Sequence, residues 1–354
     1  MTDNKGILIV YNTCTIGWRS NQLYMLSFDQ WKIDVDKILS QDIDNCQIVI
    51  TECRGTESIS WDTDPRYIEW QNYLKDHGVY FIIVRDYLPF GQSVNDAVKT
   101  IINLKGTYEY YMYWSSGFEL KSQSSYGASE EDNAVLSRIY NCLQENVDIC
   151  RANLFASNDN YPPEGYDHHK ISELFTILPG YAINDHCSIY SNEWVESFDN
   201  CIRPDIFKGN GSETVFPYMA ASIGKRCVIL PKQVCPALIH HKNLDGDSNP
   251  GIGNRMNKWY VKSLGDEPVY LNETEIQEKR IRLHDANIMM SDDGRIANDD
   301  DLTTDMQEYL LYRYGHDGMK LTTDQQKELH KVIKEEFFVS DFDYNKINKE
   351  LLWT

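Results

Sequence analysis

The chain has 354 residues, 42% of them hydrophobic, and carries 54 acidic against 34 basic side chains for a formal charge of −20. That length allows one large domain with an appendage or two ordinary ones, and the apolar content excludes wholesale disorder. The acidic excess disfavours a general nucleic-acid binder and a protein that docks on an anionic membrane surface, since both need clustered Lys and Arg. The nine Cys contain no C-x-x-C pair, which reads as reduced thiols in a cytoplasmic protein. The N-terminus carries no cleavage signature, and no apolar window reaches the roughly 18 residues of a membrane span. The 23 Tyr and 8 Trp serve mostly core and rim packing, with a few left to stack on a sugar or a base. Oligomeric state is left open.

Residues 6–11, GILIVY, form a continuous apolar run of the kind buried on both faces of a sheet. CQIVIT (46–51), VYFIIV (79–84) and YEYYMYW (108–114) repeat it. Between the second and third runs, DPRYIEWQNYLKDHG reads as a helix ending at Gly78. Between the third and fourth, Val94, Ala97, Val98, Ile101 and Ile102 recur at helical spacing. Strands alternating with helices predict an α/β fold: a mixed, mostly parallel sheet flanked by helices, with ligands at the strands' carboxyl ends. A helix near 130–146, a strand in DICRANLFA, a further strand in YAINDHCSIYS (181–191), a helix over 213–224 stopped by Gly224, and a strand in KRCVILP continue the pattern. From residue 259 onward the character changes. An acidic loop at 285–305 precedes two amphipathic helices near 303–314 and 323–338, the second with Thr323 and Gln326 in capping-box spacing. The expected division is therefore 1–258 for the sheet domain and 259–354 for a mainly helical C-terminal extension.

The order of these pieces resembles the family 2 glycosyltransferases of the GT-A fold. QIVITECRGTES fits the family's second strand, ending in an acid that reads the nucleotide base, with Glu52 at the acid. VYFIIVRDYLPFGQSVNDAVK looks like the strand, glycine turn and Asn-bearing helix that follow, with Gly91 and Asn95. NGSETVFPYMAASIGKRCVILPKQVCPALIHHK is similar to the later acidic helix start, glycine stop, strand and terminal His, with Glu213, Gly224 and His240 or His241. The resemblance covers roughly residues 5–242, and each motif is weak alone; their order is what carries it. One departure stands out: the family's metal-binding D-x-D falls on Ser115-Ser116-Gly117.

The resemblance implies transfer of a sugar from a nucleotide-sugar donor to a glycan or other hydroxyl acceptor. Glu52 would accept from a base N–H with Tyr11 or Thr13 beside it, and Arg54 and Arg85 are the nearest cations for the diphosphate. An aspartate pair would hold Mn²⁺ or Mg²⁺ through hard oxygen ligands, and neutral serines are poor substitutes. Ser115 and Ser116 are therefore expected to give the diphosphate hydroxyl and amide donors without a metal. An alternative metal site is Asp245 and Asp247 in LDGDSN, just after His240; the D-x-D of WDTDP reads as a helix cap at Asp64. NDDD (298–301) reads as a solvated loop, and the adjacent His of YDHHK point apart. Glu213, at a helix start with Pro217 in the first turn, suits a general base for an inverting reaction, and it also suits plain stabilisation of that helix. Asp185, beside His186, is the reserve base. Trp114, Tyr161, His186 and Trp194 are acceptor-side candidates. A second reading from another class is a catalytically silent GT-A-fold module that binds a glycan or a nucleotide.

Overall fold

Apolar runs too long to alternate with polar residues need cover on both faces, and all four become neighbours in one sheet. The computed structural model describes residues 4–14, 27–53, 63, 65–84, 90–115, 118–119, 132–154, 172–177, 187–204, 215–231, 233–235, 239–240 and 321–338. Strands β1 (Asn4–Cys14), β2 (Cys46–Cys53), β3 (Tyr80–Val84) and β4 (Tyr108–Ser115) stand in the order β3-β2-β1-β4, all parallel. The sheet continues through β8 (Cys187–Ser191), β6 (Ile149–Asn153), β9 (Arg226–Ile229) and β7 (Phe175–Thr176). Strands β8 and β7 run against their neighbours, while β6 and β9 run with β4. The eight strands thus form a mixed, mostly parallel α/β sheet. A separate two-stranded ladder joins β5 (Phe118–Glu119) to β10 (Ile239–His240).

Helices cover both faces. One face packs against α3 (Phe90–Lys105), α5 (Asn192–Ser197), α6 (Phe216–Ser222) and α7 (Thr323–Phe337). The other packs against α1 (Ser27–Leu39), α2 (Pro65–Asp76) and α4 (Val135–Glu145). The expected helices at Gly78 and Gly224 end where predicted. At Gly224, φ of +70° lets the chain reverse, with Lys225 N–H bonded to the Ala220 carbonyl and Gly224 N–H to that of Ala221. The α6 stretch is described from Val215 onward, so the expected start near 213 lies outside the described residues. Gly91 lies within α3 rather than in a turn before it.

Helix α1 was not among the expected elements. Its buried stripe of Phe28, Trp31, Val35 and Ile38 has helical period, but Ile33, exposed on the opposite side, and Leu39, exposed at the helix end, blur it. At the other end of the chain, α7 buries Leu329, Ile333 and Phe337 in the core shared with α6. His330 meets Ser222, Lys334 pairs with Asp199, and Phe338 stacks on Phe198. Residues 323–337 therefore complete one layer of the sheet's core. Its capping box uses Thr322 and Gln325, one residue earlier than expected. The Thr-Thr and Gln-Gln doublets permit either spacing, and the earlier cap leaves Leu321 packed on the core. The expected helix near 303–314 lies outside the described residues. Among the described residues no helix is long and apolar enough to cross a membrane.

Candidate functional site

Strand order locates the site first. From β1 the chain moves outward to β2 and β3, then crosses back through α3 to β4 on the other side of β1. The order reverses between β1 and β4, and in open α/β sheets ligands bind at such a switch point, outside the carboxyl ends of the strands. Register shows what stands there. Thr13 is level with Glu52, Glu52 with Ile83, and Asn12 with Ser115. At a strand spacing of 4.7–4.9 Å, Glu52 and Ser115 are about 10 Å apart across β1.

Alternation along β1 divides its last residues between the two faces. Tyr11 is fully buried and its hydroxyl donates to Asp34 Oδ2 at 2.7 Å. Burial, and then Asp34, hold its pKa well above the ordinary tyrosine value, so it keeps its proton. Thr13 is also buried, with its hydroxyl donating to the Thr51 carbonyl at 3.3 Å. Both residues, expected to touch the donor, instead use their hydroxyls inside the protein. Asn12 lies between them on the opposite face. It is 8% exposed, and its buried Oδ1 has no hydrogen-bond partner among the described residues. An unmade bond at a buried acceptor costs about 1–3 kcal/mol, so Asn12 is the group at this edge that calls for a donor. Sequence reading passed over it. The signal was present, an amide closing five consecutive apolar residues of a strand read as buried on both faces. The Trp70 indole N–H on the other face is likewise buried without a hydrogen-bond partner among the described residues, but aromatic rings pack on Trp70, including Trp31 at 5.8 Å and the stacked Tyr73.

Three more expected contacts turn out to be structural. Asn95 is buried; its Oδ1 accepts from the amides of Ile202 and Arg203, and its Nδ2 donates to the Arg203 carbonyl at 2.7 Å. It therefore clamps the chain after α5 instead of meeting a ligand. Trp114 and Trp194 are both 0% exposed, and the Trp194 indole donates to the Ile202 carbonyl. Neither presents a ring face to a sugar, because the strand and helix faces that carry them point into the core.

Arg54, Arg85, Ser116, Gly117, Tyr161, Asp185, His186, Glu213, His241, Asp245 and Asp247 lie outside the described residues. Connectivity still fixes some neighbours. Asp185 and His186 directly precede Cys187, which is paired with Trp114, next to Ser115. Glu213 stands two residues before Val215. The ladder of β10 with β5 pairs His240 with Phe118, three residues after Ser115 in the chain.

Two cations emerged only in the structure. Arg151 in β6 and Arg203 after α5 are each 2% exposed. The Arg151 guanidinium lies 4.1 Å from the Phe216 ring centroid and 5.5 Å from that of Tyr190, and donates to Ser188 Oγ at 2.9 Å. The Arg203 guanidinium lies 4.7 Å from the Tyr113 centroid and 5.7 Å from that of Phe216. Tyr113 is level with Ser188, two residues before Ser115 on β4. An Arg inside the apolar run ICRAN was the available signal for the first; nothing local marked the second.

Among the described residues no group of three or more His, Cys, Asp and Glu could hold a metal. Burial pushes the thiols of Cys46 and Cys235 up to about 12, away from nucleophilic work. No protein-family model matches the chain, and no curated protein sequence matches it.

Proposed function

We propose that the chain is a GT-A-like glycosyltransferase that moves a sugar from a nucleotide-sugar donor to a glycan or other hydroxyl acceptor, with inversion. The observation that carries this reading is the strand register at the switch point, where Thr13 is level with Glu52 and Asn12 with Ser115, together with a buried Asn12 Oδ1 that has no hydrogen-bond partner among the described residues. In this reading Glu52 takes a base N–H and Asn12 Oδ1 takes a hydroxyl or N–H of the nucleoside. The hydroxyls and amides of Ser115-Ser116-Gly117 face the diphosphate. The acceptor oxygen bonds to the anomeric carbon as its proton passes to Glu213. The bond from that carbon to the diphosphate breaks, its electron pair stays on the phosphate oxygen, and a nucleoside diphosphate leaves.

The Ser-Ser-Gly turn, in place of an acidic pair, favours a second reading: a binding module that holds a nucleotide or glycan without turnover. One experiment separates the two. Wild-type protein and Glu213→Gln are given a panel of nucleotide sugars with glycan acceptors, and donor affinity and turnover are both measured. The transferase reading expects wild-type turnover, a fall of about 10²–10⁴-fold in Glu213→Gln, and unchanged donor affinity. Near-normal turnover in the variant moves the base to Asp185. Binding of donor or glycan with no turnover in the wild type supports the module, and binding of neither overturns both.

A further inference from the structure

Side chains along a regular strand alternate between the two faces of a sheet, so neighbours in sequence do not share a face. Strand β6 breaks that rule once. Ile149 and Ala152 pack on the α1, α2 and α4 side, whereas Cys150 packs on the opposite side, and so does the Arg151 guanidinium beside Phe216. Register gives the reason. Ile149 is level with Arg226 and Arg151 with Cys227, so Cys150 is an extra residue in β6 with none opposite it in β9. Such a bulge is rare between parallel strands, and it re-aims the side chain it carries. Here it aims a thiol: Cys150 Sγ donates to the Arg226 carbonyl at 3.4 Å, across 76 positions of sequence. The next residue of β9 is Cys227, on the same face, whose own Sγ donates to the Phe216 carbonyl at 3.4 Å. Both cysteines are 1% exposed, and both thiols are free. Neighbouring strands run about 5 Å apart, and a disulfide joins Cα atoms separated by about 4.4–6.8 Å.

We propose that Cys150 and Cys227 are a latent disulfide, closed by exchange with a small-molecule disulfide such as oxidised glutathione while the strands are coming together. This goes beyond the transferase reading and does not depend on it. In the exchange, one thiolate of the pair attacks a sulfur of oxidised glutathione. That S–S bond breaks and a glutathione thiolate leaves. The other thiolate then attacks the mixed disulfide, and a second glutathione thiolate leaves. The two thiol protons end on two glutathione molecules; the pair is oxidised by two electrons and glutathione is reduced by two. Timing follows from burial, because exchange needs a thiolate with access to its target. Burial, and then the hydrogen bond with Cys227, push the Cys150 thiol well above its ordinary value, so the folded pair reacts slowly. The same burial shields the closed bond from reductants. The pair therefore records the thiol–disulfide balance under which the chain folded. Once closed, it ties β6 to β9 beneath α6 and restricts the unfolded chain through a long loop.

The test refolds the full chain from denaturant in glutathione buffers running from fully reduced to fully oxidised. Free thiols are then alkylated in denaturant and disulfides are mapped by mass spectrometry. The nine cysteines offer competing pairs, and the map shows which one forms. A Cys150–Cys227 link is expected in protein that melts cooperatively, at a temperature about 5–10 °C above that of the reduced form. Folded, reduced protein given the same oxidised glutathione should acquire the link at least about 10-fold more slowly than refolding protein does. Cys150→Ala and Cys227→Ala should each abolish both the link and the rise in melting temperature. If a variant does not fold, the wild-type map still decides. Recovery of both residues as alkylated thiols at every glutathione ratio, or linked only to other cysteines, overturns the proposal. So does a Cys150–Cys227 link confined to protein that has lost cooperative melting. A link that forms as fast in the folded protein as during refolding overturns it too, since the pair is then an open switch and not a latent bond.

Discussion

Tyr11 and Asn12 are neighbours in one strand, yet the two faces of the sheet treat them differently. Under α1 and α2, the Tyr11 hydroxyl finds Asp34 and the Thr13 hydroxyl finds the Thr51 carbonyl. On the α3 and α6 side, the Asn12 Oδ1 has no hydrogen-bond partner among the described residues, and the Arg151 and Arg203 guanidinium groups are buried against the Phe216 ring. Both faces exclude water equally well, so burial alone does not mark the site. What differs is where the polar groups sit: Tyr11 and Thr13 bond within the protein, whereas Asn12 Oδ1 has no hydrogen-bond partner among the described residues.

Large truncations on the two faces give the biggest test of this contrast. Trp70→Ala and Trp194→Ala each remove a fully buried indole and should cost about 3–5 kcal/mol of stability, read from denaturant unfolding. Only Trp194→Ala should also weaken nucleotide binding, because its N–H fixes Ile202 in the segment that Asn95 clamps, on the face that carries Asn12. Equal effects of the two variants on binding would dissolve the distinction between the faces.

A smaller and sharper test uses the adjacent pair. Tyr11→Phe leaves buried Asp34 without its donor and should lower stability by about 1–3 kcal/mol, with nucleotide affinity nearly unchanged. Asn12→Leu keeps a similar shape and removes an unmet acceptor, so the free protein should melt at the same temperature or higher while nucleotide affinity falls. A Tyr11→Phe variant that loses affinity, or an Asn12→Leu variant that keeps it, would reverse the assignment of the two residues.

The smallest effect concerns α7. Burial, and then Lys334, lower the pKa of His330, with Asp199 acting in the opposite sense; Ser222 and the Phe198 ring complete its surroundings. A His depressed in the folded state is held neutral, so its contribution is present above its ordinary value of 6.5 and is lost as pH falls through the lower folded value. Melting temperature should therefore fall slightly more steeply with acidification in wild type than in His330→Gln. Identical slopes would remove His330 from the pH response of this layer.

Legibility in the sequence followed the reach of the interactions. The four long apolar runs, the glycine stops at Gly78 and Gly224, and the apolar stripe of α3 depend on local periodicity and backbone freedom, and they could be read directly. Helix α1 obeyed the same rule and was hidden by two exposed apolar residues. The position of Asn12 could have been read from alternation, but its unmet acceptor could not, because that depends on what α3 and β4 bring near it.

Composition and periodicity thus determined that the chain forms an α/β sheet covered on both faces, with β1 to β4 among its buried strands, since those features are summed over neighbours in sequence. Only the tertiary structure decided which polar residues close on each other and which remain open. Asn95 and Arg203 meet across 108 positions of sequence, and Arg151 and Arg203 share Phe216 through three separate elements. No local pattern encodes such meetings, because a hydrogen bond or a ring contact between distant segments exists only once the strands have been ordered and their faces assigned.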